Sequence, residues 1–118
     1  MSEFQIYHNP RCSKSRQTLA LLEENGIEAE IVLYLETPPN PPELRRILLK
    51  LGLSARDILR RGEVEYKEQN LADKALGEGD LVARMCQYPK LIERPIVVSG
   101  ERAVLGRPPE NVLDIIAS

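Results

Sequence analysis

The chain has 118 residues, and 16 Lys and Arg against 18 Asp and Glu give it a formal net charge of -2 at pH 7. This length fits a single domain, and 42% hydrophobic with 29% charged residues is enough for a folded core. The near-neutral charge argues against nucleic acid as the main partner. No apolar run approaches the ~18–20 residues of a membrane helix. The opening Met-Ser-Glu-Phe-Gln lacks the basic and apolar regions of an export signal, which predicts a cytoplasmic protein.

Cysteine usage predicts reduced thiols and no resident metal. The two cysteines, Cys12 and Cys86, are too few for a disulfide scaffold, and neither belongs to a C-x-x-C pair. His8 is the only histidine, so a structural zinc site cannot be assembled. We therefore expect a metal-free protein with no bound cofactor.

The first third of the chain predicts a β-α-β unit. Phe4–Tyr7 is typical of a short strand, and helix-forming residues follow from Ser13 until Gly26 provides a stop. The alternating run 29–33 predicts a second strand that ends near Tyr34. A strand, a helix and a strand in this order indicate that the two strands are parallel.

The middle of the chain predicts mainly helices. A proline-rich connector at 37–42 leads into an amphipathic helix that Gly52 ends. The apolar stripe of that helix falls at i, i+3, i+4 and i+7: Leu44, Ile47, Leu48 and Leu51. Residues 54–62 open with a capping box and predict a short helix. Residues 63–78 predict a loop, and Asp80 is expected to cap a further helix.

The last third predicts a β-hairpin and a final helix. Residues 96–98 form one strand, Ser99-Gly100 the turn and 103–105 the partner strand. Pro109 then opens the last helix. The order β-α-β, helical middle, β-β-α is that of an α/β thioredoxin-like fold with a mixed central sheet and an inserted helical region. We expect one domain over residues 1–118.

Cys12 is the candidate nucleophile. It lies where the first strand passes into the first helix, and unpaired N–H groups and the helix dipole stabilise a thiolate at such a position. Arg11, Lys14 and Arg16 add positive charge nearby. Cys86, by contrast, belongs to an apolar helix stripe and is interpreted as a small core side chain.

The neighbours of Cys12 exclude two chemistries. A dithiol oxidoreductase needs a resolving cysteine three residues on, where this chain has Ser15. A phosphatase loop of the Cys-x5-Arg type needs an arginine where this chain has Thr18. An oxidised Cys12 must therefore take electrons from an external thiol, or it does not turn over.

The stretch Tyr7-His8-Asn9-Pro10-Arg11-Cys12, followed by Ser15 and Arg16, closely resembles the glutaredoxin-dependent arsenate reductases. The similarity covers essentially the full chain and continues through four further segments: Tyr34 to Pro39, Leu59-Arg60, Arg94 to Val98, and Arg107-Pro108.

The resemblance implies a set of site residues. Cys12 would be the nucleophile, and Arg60, Arg94 and Arg107 would bind the oxyanion. Guanidinium groups suit that task because they match tetrahedral oxyanions bidentately and never lose their charge. Thioredoxin-like domains also place a cis-proline opposite the active cysteine, and Pro95 fits that position.

Three residues are auxiliary candidates. His8 either donates a hydrogen bond that lowers the thiol pKa or is a packed ring with one satisfied nitrogen, and Ser15 is expected to hydrogen-bond the sulfur. Arg16, one helical turn beyond Cys12, either reaches the anion or is an exposed helix cation. Arg61 receives no role.

The expected reaction is reduction of arsenate to arsenite through a thiol-arsenate adduct on Cys12. Glutathione is the expected co-substrate, and a glutaredoxin the protein partner. Two alternatives stay open: a thiol-based regulatory protein that binds RNA polymerase, and a monothiol glutathione-dependent reductase of the same fold. Sequence leaves the physiological substrate, the particular glutaredoxin and the oligomeric state undetermined.

Overall fold

A computed structural model of the protein describes residues 3–116. The described chain divides into two compact units. The first comprises residues 3–37 and 94–116, and the second comprises Pro38–Glu93. No helix within 3–116 is both long and apolar enough to cross a membrane.

The first unit is built on a four-stranded mixed sheet with the order β2-β1-β3-β4. The strands are β1 (Phe4–Tyr7), β2 (Glu30–Val32), β3 (Ile96–Ser99) and β4 (Arg102–Leu105). Strands β1 and β2 are parallel, as the β-α-β pattern predicts, whereas β3 is antiparallel to both β1 and β4. The thioredoxin-like α/β fold is therefore confirmed.

Helix α1 (Ser13–Glu24) connects β1 to β2. Its C-cap residue is Asn25, directly before Gly26, where the sequence predicts the stop. A 3-10 helix (Pro109–Val112) and helix α5 (Leu113–Ile116) close the unit. The core of the unit consists of buried aliphatic side chains from the sheet, α1 and this C-terminal segment: Ile6, Leu22, Val97, Val112 and Ile115.

The second unit is helical, as expected for the inserted region. Its α-helices are α2 (Pro41–Leu51), α3 (Val64–Glu68) and α4 (Glu78–Gln87), with 3-10 turns at Ala55–Ile58 and Pro89–Leu91. Asn40 caps α2 by accepting a hydrogen bond from the Glu43 N–H at 2.9 Å, and α2 ends at Gly52. Three residues of its predicted stripe are buried: Leu44, Ile47 and Leu48.

Several predicted details of the second unit are wrong. Residues 63–78 were expected to be a loop but contain α3, a five-residue helix that buries none of its side chains and so leaves no apolar stripe in the sequence. The capping box at Ser54 and Asp57 forms, yet its helix stops at Ile58 rather than Gly62. Asp80 lies within the first turn of α4, where its Oδ2 accepts a hydrogen bond from the Gly77 N–H at 3.0 Å.

The predicted second strand is correct in pairing but too long. Strand β2 ends at Val32, because the N–H groups of Glu36 and Thr37 both donate to the Leu33 carbonyl and fold the chain into a turn. As an edge strand, β2 pairs on one side only, and Ile31 is 49% exposed. The apolar alternation in 29–33 therefore does not mark a fully buried face.

Leu22 and Leu49 differ strongly in burial, so their replacement tests the assigned core of the first unit by stability measurements. Replacing the fully buried Leu22 with Ala removes core contacts and should lower the free energy of unfolding by about 2–5 kcal/mol. The matched variant Leu49→Ala alters a side chain that is 81% exposed and should stay within about 0.5 kcal/mol of wild type. Urea unfolding at unchanged m-value measures both. Equal losses for the two variants would contradict the assigned core.

Candidate active site

The sheet brings three chain segments to one edge. Strand β1 is antiparallel to β3 with Tyr7 opposite Ile96, so the carboxyl end of β1 meets the amino end of β3. Strand β4 is antiparallel to β3 with Leu105 opposite Ile96, so the carboxyl end of β4 lies at the same edge. The residues just after Tyr7, just before Ile96 and just after Leu105 are therefore neighbours.

Cys12 stands on the first of these segments. The Cys12 N–H donates to the Asn9 carbonyl at 3.0 Å, which closes residues 9–12 into a turn, and Cys12 is the N-cap residue of α1 with φ -95° and ψ 123°. Extended backbone is what an N-cap residue requires. The residue is 9% exposed, so its thiol sits among protein groups at the start of the helix.

The thiol pKa of Cys12 is lowered from its ordinary value. Burial acts in the opposite direction and raises the pKa, but the backbone N–H of Ser15, the charge of Arg94 and the N–H of Lys14 outweigh burial. Arg94 also hydrogen-bonds the sulfur through its side chain. The N–H groups of the first helical turn and a guanidinium therefore share the stabilisation of the thiolate, as the position of Cys12 in the sequence predicts.

Arg94 and Arg107 face each other across the open end of the hairpin. The β3–β4 register pairs Ile96 with Leu105, and the Gly106 N–H extends the ladder by donating to the Pro95 carbonyl at 2.9 Å. The next pair along the chain is Arg94 with Arg107, and Arg107 Nη1 donates to the Arg94 carbonyl at 3.3 Å. Both Arg94–Pro95 and Arg107–Pro108 are cis peptide bonds, of which the first was expected.

Arg107 reaches the same sulfur from the other strand. Its Nη1 lies 3.9 Å from Cys12 Sγ, although 95 residues separate the two in sequence. Arg107 is exposed whereas Arg94 is half-buried, so Arg94 has the stronger electrostatic effect on the thiol. The structure thus brings together Cys12 and two of the three predicted anion-binding arginines.

The register between β3 and β4 depends on the position of the turn that joins them, which the sequence analysis placed one residue too early. The two central residues of the turn are Gly100 and Glu101, and Ser99 pairs with Arg102 instead of turning. Gly100 has φ +59°, a left-handed value that favours glycine. With a turn at Ser99-Gly100, Arg94 would have been expected opposite Leu105, and the pairing of the two arginines would have been missed.

His8 and Ser15 form a hydrogen-bonded pair beneath the nucleophile. His8 Nδ1 and Ser15 Oγ are 2.7 Å apart, and Ser15 Oγ also accepts a hydrogen bond from the Asn9 N–H at 3.0 Å. Ser15 therefore acts on the sulfur through its backbone N–H, whereas its hydroxyl is engaged with His8 and Asn9. Burial, and then the charge of Arg16, lower the pKa of His8, so its ring is neutral at pH 7.

Arg16 braces the turn that carries Cys12. Its Nη1 donates to the Pro10 carbonyl at 2.8 Å, which ties the first turn of α1 back to the preceding loop. The auxiliary roles of His8, Ser15 and Arg16 in chemistry stay predictions.

Arg60 lies in the second unit, next to the isolated β-bridge between Leu59 and Ile92. Its Nη1 is 2.8 Å from a Glu63 carboxylate oxygen, and its Nε is 3.7 Å from a Glu93 carboxylate oxygen. Its role in anion binding therefore rests on its motif position and stays a prediction.

Cys86 differs from Cys12 in its electrostatics. It is half-buried on α4, and burial, followed by the charge of Glu43, raises its thiol pKa. A raised pKa leaves the thiol protonated and unreactive at neutral pH. The expected lack of reactivity fits this pKa, but the prediction of a core side chain is wrong, because Cys86 is only half-buried.

One residue at the site was missed by the sequence analysis. The side-chain amide of Asn111 donates to the carbonyls of Leu105 and Arg107 at 3.2 and 3.1 Å. It thereby holds the backbone on both sides of Gly106. An asparagine two residues after a Pro-Pro pair gives no sequence signal for this bond, which exists only because the C-terminal segment packs beside the end of β4.

The sheet is thioredoxin-like, a cysteine with a lowered thiol pKa begins its first helix, and serine occupies the resolving position. These features define a monothiol protein of the thioredoxin-like fold. The sequence profile of the ArsC family matches residues 7–115. The chain therefore belongs to the ArsC family.

Named relatives agree with this assignment. The chain is 57% identical over 115 residues to "Uncharacterized protein YfgD" of Escherichia coli K12, with 97% of each chain covered. It is 50% identical over 113 residues to a Neisseria meningitidis protein named "Arsenate reductase", with 95% of this chain and 97% of the relative covered. A solved structure described as an arsenate reductase from Vibrio cholerae superimposes with a TM-score of 0.92 at 54% identity, covering 95% of this chain and 96% of that one.

The lowered pKa of Cys12 predicts a distinctive alkylation profile. Because only the thiolate reacts, the iodoacetamide reaction of Cys12 should reach half its maximal rate at a lower pH than that of an ordinary cysteine. Arg94→Ala removes one of the influences that lower the pKa, so its half-maximal pH should shift upward and its rate at pH 7 should fall. Rates measured against pH in a Cys86→Ser background isolate Cys12. An unshifted midpoint in Arg94→Ala would contradict the electrostatic role of Arg94.

Proposed function

We propose that the protein reduces arsenate to arsenite through a covalent intermediate on Cys12, with glutathione and a glutaredoxin as electron donors. The observation that carries the proposal is the Cys12 thiol, which has a lowered pKa and lies beside the guanidinium groups of Arg94 and Arg107. The name "Arsenate reductase" of several relatives supports arsenate as the substrate.

Charge is the first obstacle that the reaction has to overcome. Arsenate is a tetrahedral dianion near neutral pH, so it is repelled by the thiolate that must attack it. Arg94 and Arg107 offset this repulsion because each guanidinium pairs with two oxygens of a tetrahedral anion and keeps its charge at any physiological pH. The same two cations stabilise negative charge that moves from sulfur to oxygen during attack.

Attack then forms a bond between Cys12 Sγ and arsenic. One arsenate oxygen leaves as hydroxide, takes up a proton from solvent and departs as water. The product is a thiol-arsenate adduct in which arsenic is still As(V). Its remaining oxygens carry negative charge and stay paired with the arginines.

Reduction needs two further thiols from outside the protein, because Ser15 replaces a resolving cysteine. Glutathione displaces a second oxygen, again released as water, and forms an As–S bond. A glutaredoxin thiolate then attacks the glutathione sulfur, and the electron pair of that As–S bond passes to arsenic. Glutathione and glutaredoxin become a mixed disulfide while As(V) becomes As(III). Water finally displaces Cys12, which releases arsenite and restores the thiolate.

An open cleft of about 300 Å³ adjoins the turn that ends at Cys12, although Cys12 itself does not line it, and we place the approach of the external thiol on this side. Asn9, which lines the cleft, is joined to Cys12 by the hydrogen bond that closes the turn, so the two Cα atoms are neighbours. Its walls come from the loop after β1 and the turn after β2: His8, Asn9, Pro10, Arg11, Leu33, Leu35 and Glu36. Because the proposed reaction consumes reduced glutathione, we expect it to take place in the cytoplasm.

Arsenate-dependent NADPH oxidation, coupled through glutathione, a glutaredoxin and glutathione reductase, tests the proposal. Wild type should consume NADPH only when arsenate is present, and Cys12→Ser should abolish this consumption because the nucleophile is gone. Arg107→Ala should raise the KM for arsenate by roughly 10–100-fold, the effect of losing a charge-assisted hydrogen bond.

Two results would overturn the proposal in different directions. Rapid reduction of glutathione mixed disulfides without any arsenate-dependent turnover would identify a monothiol reductase. Binding to RNA polymerase, with neither arsenate reduction nor mixed-disulfide reduction, would identify a regulatory protein.

Arg60 needs a separate test, since its assignment rests on the motif. If Arg60 binds the anion, Arg60→Ala should raise the KM for arsenate by roughly tenfold or more. The matched control is Arg61→Ala, which removes an adjacent exposed arginine of the same charge and should leave the KM within about twofold, as surface substitutions usually do. Equal effects of the two variants would indicate a general loss of positive charge rather than a ligand.

A further inference from the structure

The backbone that carries Arg107 is held on several sides by groups that take no part in the chemistry. The Gly106 N–H donates to the Pro95 carbonyl at 2.9 Å, and the Gly106 carbonyl accepts a hydrogen bond from Thr18 Oγ1 at 3.3 Å. Asn111 holds the carbonyls of Leu105 and Arg107, on either side. Each partner comes from a different element: α1, the start of β3, and the C-terminal 3-10 helix.

Gly106 leaves no room for a side chain. A Cβ atom at this position would lie 2.5 Å from Thr18 Oγ1, 2.9 Å from Thr18 Cγ2 and 2.8 Å from Pro95 Cγ. All three distances are shorter than carbon tolerates without movement. The absent Cβ is therefore what allows the end of β4 to approach α1 this closely.

The atoms around Gly106 have little freedom to yield. Thr18 is fully buried, and its single hydroxyl hydrogen is shared between the Lys14 carbonyl at 2.8 Å, within α1, and the more distant Gly106 carbonyl at 3.3 Å. Branching at Cβ restricts its χ1 further. The Pro95 ring is fixed by its own backbone. A side chain at 106 would thus be accommodated by movement of the 105–107 backbone, and Arg107 would move with it.

Small movements matter because the contact that Arg107 makes is a long one. Its Nη1 lies 3.9 Å from Cys12 Sγ, which is already long for a hydrogen bond to sulfur, so any recession weakens the contact further. Arg94 has a different attachment, since it lies on the segment that precedes β3 and is not carried by the 105–107 backbone. Displacement at 106 therefore moves Arg107 directly, whereas it reaches Arg94 only through Pro95 and the bond from Arg107 Nη1 to the Arg94 carbonyl.

We propose that Thr18, Gly106 and Asn111 are positioning residues that set the location of the Arg107 guanidinium beside the Cys12 sulfur, and thereby the affinity of the site for a tetrahedral oxyanion. The part that concerns the oxyanion rests on the proposed function. None of the three residues touches the reacting atoms; each acts through the backbone of Arg107.

The test measures how well arsenate or sulfate protects Cys12 from iodoacetamide in a Cys86→Ser background. In Gly106→Ala the concentration for half-protection should rise by about tenfold, toward the value for Arg107→Ala. The alkylation rate without anion should stay within about twofold of wild type, because the main influences on the thiol pKa come from Ser15, Lys14 and Arg94. A purely structural defect would instead change the anion-free rate as well.

Three further variants sharpen the result. Thr18→Ala removes the hydroxyl that reaches the Gly106 carbonyl without adding a clash, so it should weaken protection in the same direction as Asn111→Ala. Asn111→Ala removes the two backbone braces without introducing a clash, so it tests the proposal even if Gly106→Ala fails to fold. Gly77→Ala is the matched control, because the nearest atom to its added Cβ lies at 3.8 Å. It should behave as wild type.

The outcomes separate this proposal from the proposed function. Wild-type protection in both Gly106→Ala and Asn111→Ala would overturn the positioning role, and wild-type protection in Thr18→Ala would remove Thr18 from it. If neither anion protects wild type, the proposed function fails and the positioning role is decided by crystal structures. An unchanged distance between Arg107 Nη1 and Cys12 Sγ in Gly106→Ala or Asn111→Ala would then overturn it, and a longer distance would support it.

Discussion

The negative charge of the Cys12 sulfur is the constraint on which the rest of the site depends. A Cys12 thiolate that is only 9% exposed is poorly hydrated, so burial on its own raises the pKa of the thiol. The protein reverses this effect with N–H groups of the first turn of α1 and with the Arg94 guanidinium. Every other feature of the site either supplies this compensating charge or holds the groups that supply it.

Sheet topology delivers those groups to one place. The antiparallel pairing of β1 with β3 sets the start of α1 beside the residues that precede β3, and the pairing of β3 with β4 brings the residue after Gly106 to the same edge. Arg94 and Arg107 thus lie opposite each other, two positions beyond the last ladder pair of β3 and β4. Their alignment follows from a two-residue turn at the far end of the hairpin, where Gly100 adopts a left-handed conformation.

Errors in the sequence analysis have a common physical origin. Helix α2 was predicted well because its apolar stripe, the proline-rich segment before it and its Gly52 stop are all local signals. Helix α3 was missed because it buries no side chain and so carries no apolar periodicity. The alternation around Ile31 was misleading because an edge strand leaves one side unpaired, and the hairpin turn was misplaced by one residue because both Ser99 and Gly100 are acceptable turn residues.

From the amino-acid sequence one can read that Cys12 stands at a junction of strand and helix, that Ser15 leaves it without a resolving thiol, and that the order of elements is that of a thioredoxin-like fold. These features depend on residues close together in the chain, and local propensity is readable there. Other features emerge only from the folded chain: Arg107 lies 3.9 Å from a sulfur 95 residues away, the Ser15 hydroxyl bonds His8, and Asn111 and Thr18 hold the Arg107 backbone. Such contacts depend on strand register and on the close packing that Gly106 permits, and no local pattern encodes either.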